Sequence, residues 1–460
     1  MKFVDKDLRA VQEARVLMEE AGEAKTVLGT WEQEKLDRVV RAMMKACSER
    51  VEMLAQMAVR ETGYGNVSDQ VKQCQFQIKA LERALDGMKC VGILESHEKD
   101  GILEIGVPLG VIAVALPALS PVSAVLFSAV IAVKSGNAAV FAPHPRAVET
   151  TKKTVQILRE AALAEGFPDG ALSCMETVAK EGTLEMFSHP QTSLILDIGE
   201  EALYGKIPAG KPVIYGGIVP APVFIERSAD IKTAVTQIVA GRSFNCGILP
   251  ASEQYVVADS RIAELAKQEM ISCGAYFMNQ EDERRLIHLL GIGEKKGCAE
   301  KEYIGKSAEW LAGRAGFSVP AGTKVLVSEQ SYITDFNPYA NALLCPLIVF
   351  YIENDWIHAC EKCMELLMGE NHGNTLAIHS NDAEVIRQFA LKKPVGRVLV
   401  NTSSSVGAMG MTTNLFPSAV LGSLSAGMGI TAENVSPMNL IYRRKAAFGV
   451  RSFQDMMEQR

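Results

Sequence analysis

The sequence predicts an α/β protein with two doubly wound lobes, because strands and helices alternate along two long stretches. In the first stretch, from Gly106 to Ile225, short apolar runs rich in Val, Ile and Ala are separated by helical patterns. The second stretch runs from Ile231 to about Thr402. Alternation of this kind predicts parallel sheets, which bind ligands at the carboxyl ends of their strands. Two such lobes would enclose a cleft, the usual place for an active site.

The composition supports this fold class and excludes some functions. The chain has 460 residues, of which 48% are hydrophobic and 22% charged, as in soluble globular proteins of two or three domains. Its 47 basic and 54 acidic residues give a net charge of −7, so no basic surface for nucleic acid is expected. No signal-like segment opens the chain, and the ten scattered cysteines are interpreted as reduced thiols. We therefore expect a cytoplasmic protein without a nucleic-acid partner.

A helical layer is predicted ahead of the first sheet. Apolar residues recur at helical spacing from Asp5 to about Val59, and a further helix is predicted over Ser68 to Met88. The segment Ile102 to Val107 then alternates between apolar and polar residues and meets Pro108, as an edge strand or a hairpin arm does.

One uncharged stretch, between Glu104 and Lys134, is long enough to cross a bilayer. Three prolines interrupt it, and residues 107–116 have the composition of a strand buried on both faces. Residues 123–133 follow as a buried helix and residues 138–141 as a second strand. This order predicts a βαβ unit rather than a membrane span, so no membrane partner is expected.

Cys360 and Cys363 form an isolated CxxC motif near His358, inside the helical stretch 356–367. A zinc site of this type needs a second pair of ligands, which the sequence does not supply nearby. A structural helix is the better interpretation, and no metal is expected.

Two segments together carry a family resemblance. Val107-Pro-Leu-Gly-Val-Ile-Ala-Val114 and Lys134-Ser-Gly-Asn-Ala-Ala-Val-Phe-Ala-Pro-His-Pro-Arg-Ala147 resemble aldehyde dehydrogenases of the CoA-acylating branch, which includes acetaldehyde and propionaldehyde dehydrogenases. The Pro-His-Pro-Arg within the second segment is fairly specific to that branch, and the resemblance covers nearly the whole chain. It implies two doubly wound α/β lobes with a small β oligomerisation arm. It also implies NAD and CoA as cofactors and a short aldehyde as substrate.

The resemblance further implies a division of the chain. Residues 1–225 would form a helical N-terminal layer and a dinucleotide-binding-type domain, and residues 226–404 a catalytic-type domain. Residues 405–460 would return to the first lobe and supply an oligomerisation segment that pairs with an arm near 100–107. A homodimer or homotetramer is expected. Relatives housed in microcompartments often carry an extra N-terminal helix, and since the first predicted helix begins almost at Met1, targeting by that route is not expected.

The chemistry implied by the resemblance starts with a cysteine thiolate that adds to the aldehyde. A nicotinamide then accepts hydride, oxyanion donors stabilise the developing charge, and CoA takes the acyl group. Hydrolytic relatives carry a Glu near the stretch Tyr215 to Pro222, which has none here. Its absence favours transfer to a thiol over hydrolysis.

The position of the family nucleophile, directly before Ala251, is Pro250 in this chain. Proline has neither a nucleophilic atom nor an amide hydrogen. Cys246 lies four residues upstream and is the candidate for a relocated nucleophile, with a buried structural cysteine as the alternative. Ser120 takes the place of the side-chain oxyanion donor, which is Asn in the family, and its hydroxyl could still donate.

Cofactor positions follow from the same resemblance. Pro143, His144 and Pro145 come directly after a predicted strand, where a nucleotide or CoA would dock, and Gly199 and Gly217 lie in the two glycine-rich turns. The other cofactor positions depart from the family and are occupied by Glu200, Glu201, Ala342 and Asn374. Two carboxylates beside a pyrophosphate, together with an alanine where a ribose is normally held, predict weak NAD binding.

Two hypotheses therefore remain. The first is an NAD-dependent, CoA-acylating aldehyde dehydrogenase with an impaired site, in which Cys246 is the nucleophile and Ser120 assists. The second is a non-catalytic paralogue that serves as an assembly or regulatory partner of an active homologue. The joint change of nucleophile, oxyanion donor and cofactor positions favours the second.

Overall fold

The computed structural model describes residues 5–199, 210–292, 302–333, 337–369, 373–453 and 457. The chain begins with the helices α1 Lys6–Leu28, α2 Gln33–Ser48, α3 Val51–Thr62 and α4 Val67–Leu85. The carboxylate of Asp5 caps the first helix by accepting from the backbone N–H groups of Asp7 and Leu8. The predicted helical layer is confirmed.

The first lobe continues with β1 Gly92–His97, β2 Ile102–Pro108, β3 Val111–Ala115, α5 Pro121–Lys134, β4 Ala138–Ala142, α6 Val148–Ala164, β5 Leu172–Cys174, α7 Lys180–Ser188, β6 Thr192–Asp197 and β7 Val213–Tyr215. Five of these strands form a parallel sheet in the order β5-β4-β3-β6-β7. The predicted βαβ unit is β3-α5-β4, and every residue of α5 is buried. Within the described ranges, no helix is both long and apolar enough to cross a bilayer.

The second lobe contains β8 Ala221–Ile225, α8 Ile231–Ser243, β9 Glu253–Asp259, α9 Ala263–Ser272, β10 Ala275–Phe277, α10 Gln280–Leu290, α11 Ala308–Ala315, β11 Val325–Glu329, β12 Leu347–Glu353, α12 Trp356–Leu367, β13 Thr375–His379, α13 Ala383–Lys392, β14 Arg397–Val400 and α14 Ser404–Ala408. Its seven strands are parallel in the order β10-β11-β12-β9-β8-β13-β14. Neighbouring residues Val256 and Val257 of β9 belong to different apolar clusters, so the sheet has a core on each face.

One strand lies in a different sheet from the one expected. The sequence analysis placed the strand at Val223 to Ile225 in the first domain, which was drawn as residues 1–225, but β8 pairs with β9 and β13 of the second sheet. The reason is the short connection: residues 216–220 separate β7 from β8. A parallel crossover within one sheet needs a dozen or more residues, so the chain must pass to the other sheet.

The arm is a three-stranded antiparallel sheet. It has the order β1-β2-β15, in which β15 is Ile441–Ala447 and pairs with β2 from Ile441 opposite Pro108 to Ala447 opposite Ile102. Before this strand the chain crosses the first lobe, where Val420 joins the apolar core. Strands β1 and β15 are left as the edges of the arm.

Candidate active site

A small cavity lies where the two lobes meet, and its wall includes the two residues that the family resemblance aligns with the nucleophile and the oxyanion donor. Pro250 and Ser120 line it from opposite lobes. The remaining lining residues are Gln73, Pro117, Leu119, Ser123, Ala124, Ile198, Gly216, Ile218, Ile248, Met409 and Ala419. The cavity has a volume of about 40 Å³. Its walls are mostly aliphatic, so it offers few groups for polar chemistry.

Pro250 is half-buried in the turn between α8 and β9. Ile248 precedes it in the cavity wall, and Ala251 follows it with a φ of 53°, in the left-handed region. The pyrrolidine ring therefore forms part of the cavity wall. It contributes neither a nucleophile nor an N–H donor to the cavity.

Cys246 is not among the residues that line this cavity. Its half-buried thiol is near Asp69 and Lys306 and is hydrogen-bonded by the side chain of Asn66. Burial raises the pKa of the Cys246 thiol, and the negative charge of Asp69 raises it further, while Asn66 and Lys306 act in the other direction. A thiolate nucleophile needs the opposite shift. Neither the placement nor the electrostatics of Cys246 supports the role of a relocated nucleophile.

The backbone explains where Cys246 points. Asn245, Cys246 and Gly247 are consecutive left-handed residues with φ values of 46°, 56° and 76°. Asn245 is fixed because its N–H donates to Asp69 Oδ2 over 2.9 Å and its Oδ1 accepts from the N–H of Asn66 over 3.0 Å. This tight turn directs the thiol towards the α3–α4 connection rather than into the cavity.

Ser120 lies at the start of α5 in a left-handed conformation with a φ of 48°. Its hydroxyl donates to Gln73 Oε1 over 3.0 Å and accepts from Asn245 Nδ2 over 3.4 Å. Its single proton is thus already used, and donation to an oxyanion would require breaking the bond to Gln73. The structure brings Ser120 and Pro250 together in one cavity, whose lining does not include Cys246.

Sequence reasoning missed Gln73 and Asn245. A signal for the first was present, because Gln70, Gln73 and Gln77 recur at helical spacing on the buried face of α4. Glutamines on a core-facing stripe must find partners, and Gln73 Nε2 donates to Ser123 Oγ over 3.4 Å. Nothing local in the sequence marks Asn245.

The expected nucleotide edge of the first sheet lies after β4. Pro143 is buried, His144 half-buried and Pro145 exposed, and His144 Nδ1 accepts from the backbone N–H of Arg146 over 3.1 Å. The N-terminus of the following helix, α6, is already occupied by the carboxylate of Glu61. That carboxylate accepts from the N–H groups of Glu149 and Thr150, each over 2.8 Å. A phosphate could bind at this helix end only by displacing Glu61.

The two glycine-rich turns differ in what the structure shows. Gly199 is buried and its N–H donates to Asp197 Oδ1 over 3.4 Å, while Glu200 and Glu201 lie outside the described residues. Gly217 faces the hydroxyl of Tyr215, which lies 2.1 Å from where a Cβ on residue 217 would be. The side chain of Tyr215 thus fills the space beside Gly217.

Two further family positions are held by structural contacts. Ala342 is half-buried in a turn that Gln254 fixes by donating to the carbonyl of Asn341 and accepting from the N–H of Leu343, both over 2.9 Å. The methyl group of Ala342 cannot hydrogen-bond to a ribose. Asn374 is buried, and its Nδ2 donates to Ser423 Oγ over 3.0 Å, so its amide group has a structural role.

Comparison with known proteins agrees with this architecture. The profile of the aldehyde dehydrogenase family matches residues 6–272. A probable aldehyde dehydrogenase from Listeria monocytogenes EGD-e superimposes with a TM-score of 0.93 at 38% identity, covering 98% of this chain and 100% of the other. An acetylating aldehyde dehydrogenase from Geobacillus thermoglucosidasius gives a TM-score of 0.93 at 35% identity, with 98% and 99% coverage.

Comparison with curated proteins supports membership of the acylating branch. The bifunctional aldehyde-alcohol dehydrogenase of Escherichia coli K12 is 31% identical over 443 residues, which are 95% of this chain and 49% of the relative. The chain thus spans about half the length of this curated relative. The acetylating succinate-semialdehyde dehydrogenase of Clostridium kluyveri is 28% identical, with 92% and 93% coverage.

Proposed function

Since this chain belongs to the aldehyde dehydrogenase family, we propose that it is a non-catalytic member of the acylating branch that acts by associating with another subunit of the same fold. The observation that carries this proposal is that Pro250, the residue that the family resemblance aligns with the nucleophile, stands in the wall of a cavity of about 40 Å³. Without a thiol at that place no thiohemiacetal can form, so neither hydride transfer nor acyl transfer can follow.

The cofactor positions support the same conclusion. Tyr215 covers the turn at Gly217, and Glu61 occupies the N-terminus of α6. We propose that NAD binds weakly or not at all. Pro143, His144 and Pro145 still follow β4 at the carboxyl edge of the sheet, so adenosine or CoA would bind there if either binds.

The arm supports association. Strand β15 is an edge of the arm sheet, and β14 is an edge of the seven-stranded sheet, so each presents unpaired backbone groups. Large apolar side chains near the arm are exposed, with Tyr442 at 59% and Phe448 at 62%. Open strands beside exposed aromatic residues are suited to pairing with a second subunit, either a second copy or an active homologue.

The catalytic half of the proposal is tested with acetaldehyde, NAD and CoA. We expect no NADH and no acetyl-CoA from the wild-type chain, and none from Pro250→Cys, because the cofactor turn stays covered. Calorimetric titrations with NAD and with CoA distinguish loss of the nucleophile from loss of the cofactor site. Wild-type activity that disappears in Cys246→Ala would overturn the proposal and establish a relocated nucleophile.

The association half is tested by sedimentation of the purified chain and its variants. Tyr442→Asp and Phe448→Asp should shift the population towards monomer at unchanged thermal stability of the lobes. Tyr332→Asp is the matched control, because Tyr332 is 74% exposed and lies away from the arm strands. A monomeric wild-type chain that also fails to bind an active acylating homologue would contradict the proposal.

A further inference from the structure

The connection between α3 and α4 lies against the second lobe. It consists of residues 63–66, which we call the strap. Lys306 Nζ, in the second lobe, donates to the carbonyl oxygen of Gly63 over 2.6 Å. Further along the strap, the N–H of Gly65 donates to the carbonyl oxygen of Gly305 over 2.9 Å. One end of the strap is therefore bound to the segment that precedes α11.

The other end of the strap is bound by Asn245, which is buried. Asn245 Oδ1 accepts from the N–H of Asn66 over 3.0 Å, and its own N–H donates to Asp69 Oδ2 over 2.9 Å. Its Nδ2 donates to Ser120 Oγ over 3.4 Å. Asn66 is held in turn because its Oδ1 caps α4 by accepting from the N–H of Asp69 over 2.9 Å. Asn245 thus joins the second lobe to three residues of the first.

The strap is closely packed in its seat. Tyr64 is 4% exposed and belongs to the same apolar cluster as Ile304, on one face of the second sheet. A Cβ on Gly65 would lie 2.0 Å from Asn245 Oδ1, and a Cβ on Gly305 would lie 2.6 Å from the amide nitrogen of Gly65. The docked strap therefore leaves no room for a side chain at either glycine.

The turn that binds the strap is strained. Asn245 and Cys246 have φ values of 46° and 56°, and left-handed values are unfavourable for residues that carry a Cβ. The hydrogen bonds to the strap and to α4 compensate for this strain at Asn245. Ile248 and Pro250 follow the turn closely and line the cavity between the lobes. Relaxation of the turn after loss of the strap would therefore change the cavity wall.

We propose that the strap is a latch that keeps the two lobes closed, and that its release opens the cleft while each lobe stays folded. Each lobe has its own parallel sheet, and no strand of either sheet pairs with the strap. The strained turn favours the released state, whereas the hydrogen bonds between the lobes favour the docked state, so one element has two opposing tendencies. The latch does not depend on whether the chain is an enzyme or an assembly partner.

Hydrogen–deuterium exchange of the full chain, resolved to single residues by mass spectrometry, tests the latch. In Asn245→Ala the N–H of Asn66 loses its acceptor directly, so the informative reporter is Gly65, which Asn245 does not hydrogen-bond. We expect the N–H of Gly65 to exchange about tenfold faster than in the wild type, because the docked state loses about one net hydrogen bond. The amides of β9 should keep their wild-type rates.

Asn401→Ala is the matched control. Asn401 is also left-handed, with a φ of 53°, and makes two side-chain hydrogen bonds over 2.9 Å, but both are to Ser380 in the same lobe. It should speed exchange at Ser380 and leave Gly65 unchanged. If Asn245→Ala also leaves Gly65 unchanged, the contacts are independent of one another and the proposal fails. Faster exchange along β9 as well would contradict it too, because the strap would then belong to the fold as a whole.

Lys306→Met tests the latch from its other end. The N–H of Asn245, which Lys306 does not bind, should exchange about tenfold faster because the strap undocks as a unit. Lys211→Met is the control, since Lys211 donates to the carbonyl oxygens of His189 and Thr192 within the first lobe. Equal rates for Asn245 in Lys306→Met and in this control would overturn the proposal.

Small-angle X-ray scattering measures the opening itself. The double variant Asn245→Ala/Lys306→Met should have a larger radius of gyration than the wild type and than the double control Asn401→Ala/Lys211→Met. An unchanged radius of gyration together with fast exchange at Gly65 would mean that the strap moves without the lobes, which would also refute the latch.

Discussion

Strand β9 and the turn ahead of it are neighbours in the chain but meet different physical demands. The strand, Glu253–Asp259, is buried along its whole length and pairs on both sides. The turn contains Pro250 and a run of left-handed residues at 245–247. The strand is fixed by packing on both faces and by backbone pairing on both sides. The turn is held instead by a few side-chain hydrogen bonds, such as those of Asn245 with Asp69 and Asn66, so a substitution in it is expected to disturb the fold less.

The largest effect is expected from a substitution that breaks the fold rather than the site. Arg397, at the start of β14, is buried and donates to Asn434 Oδ1, Thr375 Oγ1 and three backbone carbonyls. Arg397→Ala would leave these acceptors unpaired and should lower the free energy of unfolding by about 4 kcal/mol. Urea denaturation measures the change. Arg387→Ala is the control, because Arg387 makes an exposed pair with Glu384 and should cost under about 0.5 kcal/mol.

A second prediction concerns pH. His379 ends β13, and burial lowers its pKa from 6.5 to about 4. The folded protein therefore keeps His379 neutral, and the stability that this contributes is complete above pH 6.5 and is lost as the pH falls towards 4. At about 1.36 kcal/mol per pH unit, the loss is on the order of 3 kcal/mol.

The measurement compares unfolding at pH 7.5 and pH 4 for wild type and His379→Gln. The variant should lose less stability on acidification than the wild type does. His288→Gln, which replaces an exposed histidine, should behave as the wild type. Identical pH profiles for His379→Gln and the wild type would show that other groups carry the acid response.

A third prediction sharpens the contrast at the covered cofactor turn. Gly217→Ala should destabilise the chain by about 2 kcal/mol, because the added Cβ meets the Tyr215 hydroxyl. In a Tyr215→Gly background the same substitution should cost much less. A coupling energy near zero in this double-mutant cycle would mean that Tyr215 does not occupy the space over the turn.

The smallest effect is expected inside the site. Ser120→Ala removes the hydroxyl that links Gln73 to Asn245 and should cost about 1 kcal/mol. Ser260→Ala, at an exposed position, is the control and should cost less than half of that. A loss as large as that expected for Arg397→Ala would show that the site is as tightly restrained as the sheets, which would remove the contrast between them.

The sequence was sufficient for most of the long elements, whereas several short strands could not be predicted from it. Helix α12 was predicted with the bounds that it has, Trp356–Leu367, because its apolar residues recur at helical spacing. Strands β5 and β10 have three residues each and are too short to show a period. Strand β14 was missed because it begins with Arg397, a buried charge that looks like a surface residue in the sequence.

The residues of the candidate site could be predicted from the sequence only in part. Resemblance located Pro250 and Ser120, and the structure places both in one cavity. The direction of Cys246 could not be predicted, because it depends on left-handed φ values that non-glycine residues rarely adopt. Two contacts at the cofactor positions could not be predicted either. The position of the Tyr215 side chain beside Gly217 depends on the rotamer of the tyrosine. The N-terminus of α6 is bound by the carboxylate of Glu61, which lies 88 residues away in sequence from Glu149.

The short connection between β7 and β8 has a mechanical consequence. Residues 216–220 carry the chain from one sheet to the other, and an extended chain of that length spans at most about 18 Å. Gly216 and Ile218 within it are also walls of the cavity. Any hinge motion that separates the lobes must turn this connection, and so must reshape the cavity in the same movement. Opening of the cleft and a change in the shape of the cavity are therefore coupled through this one connection.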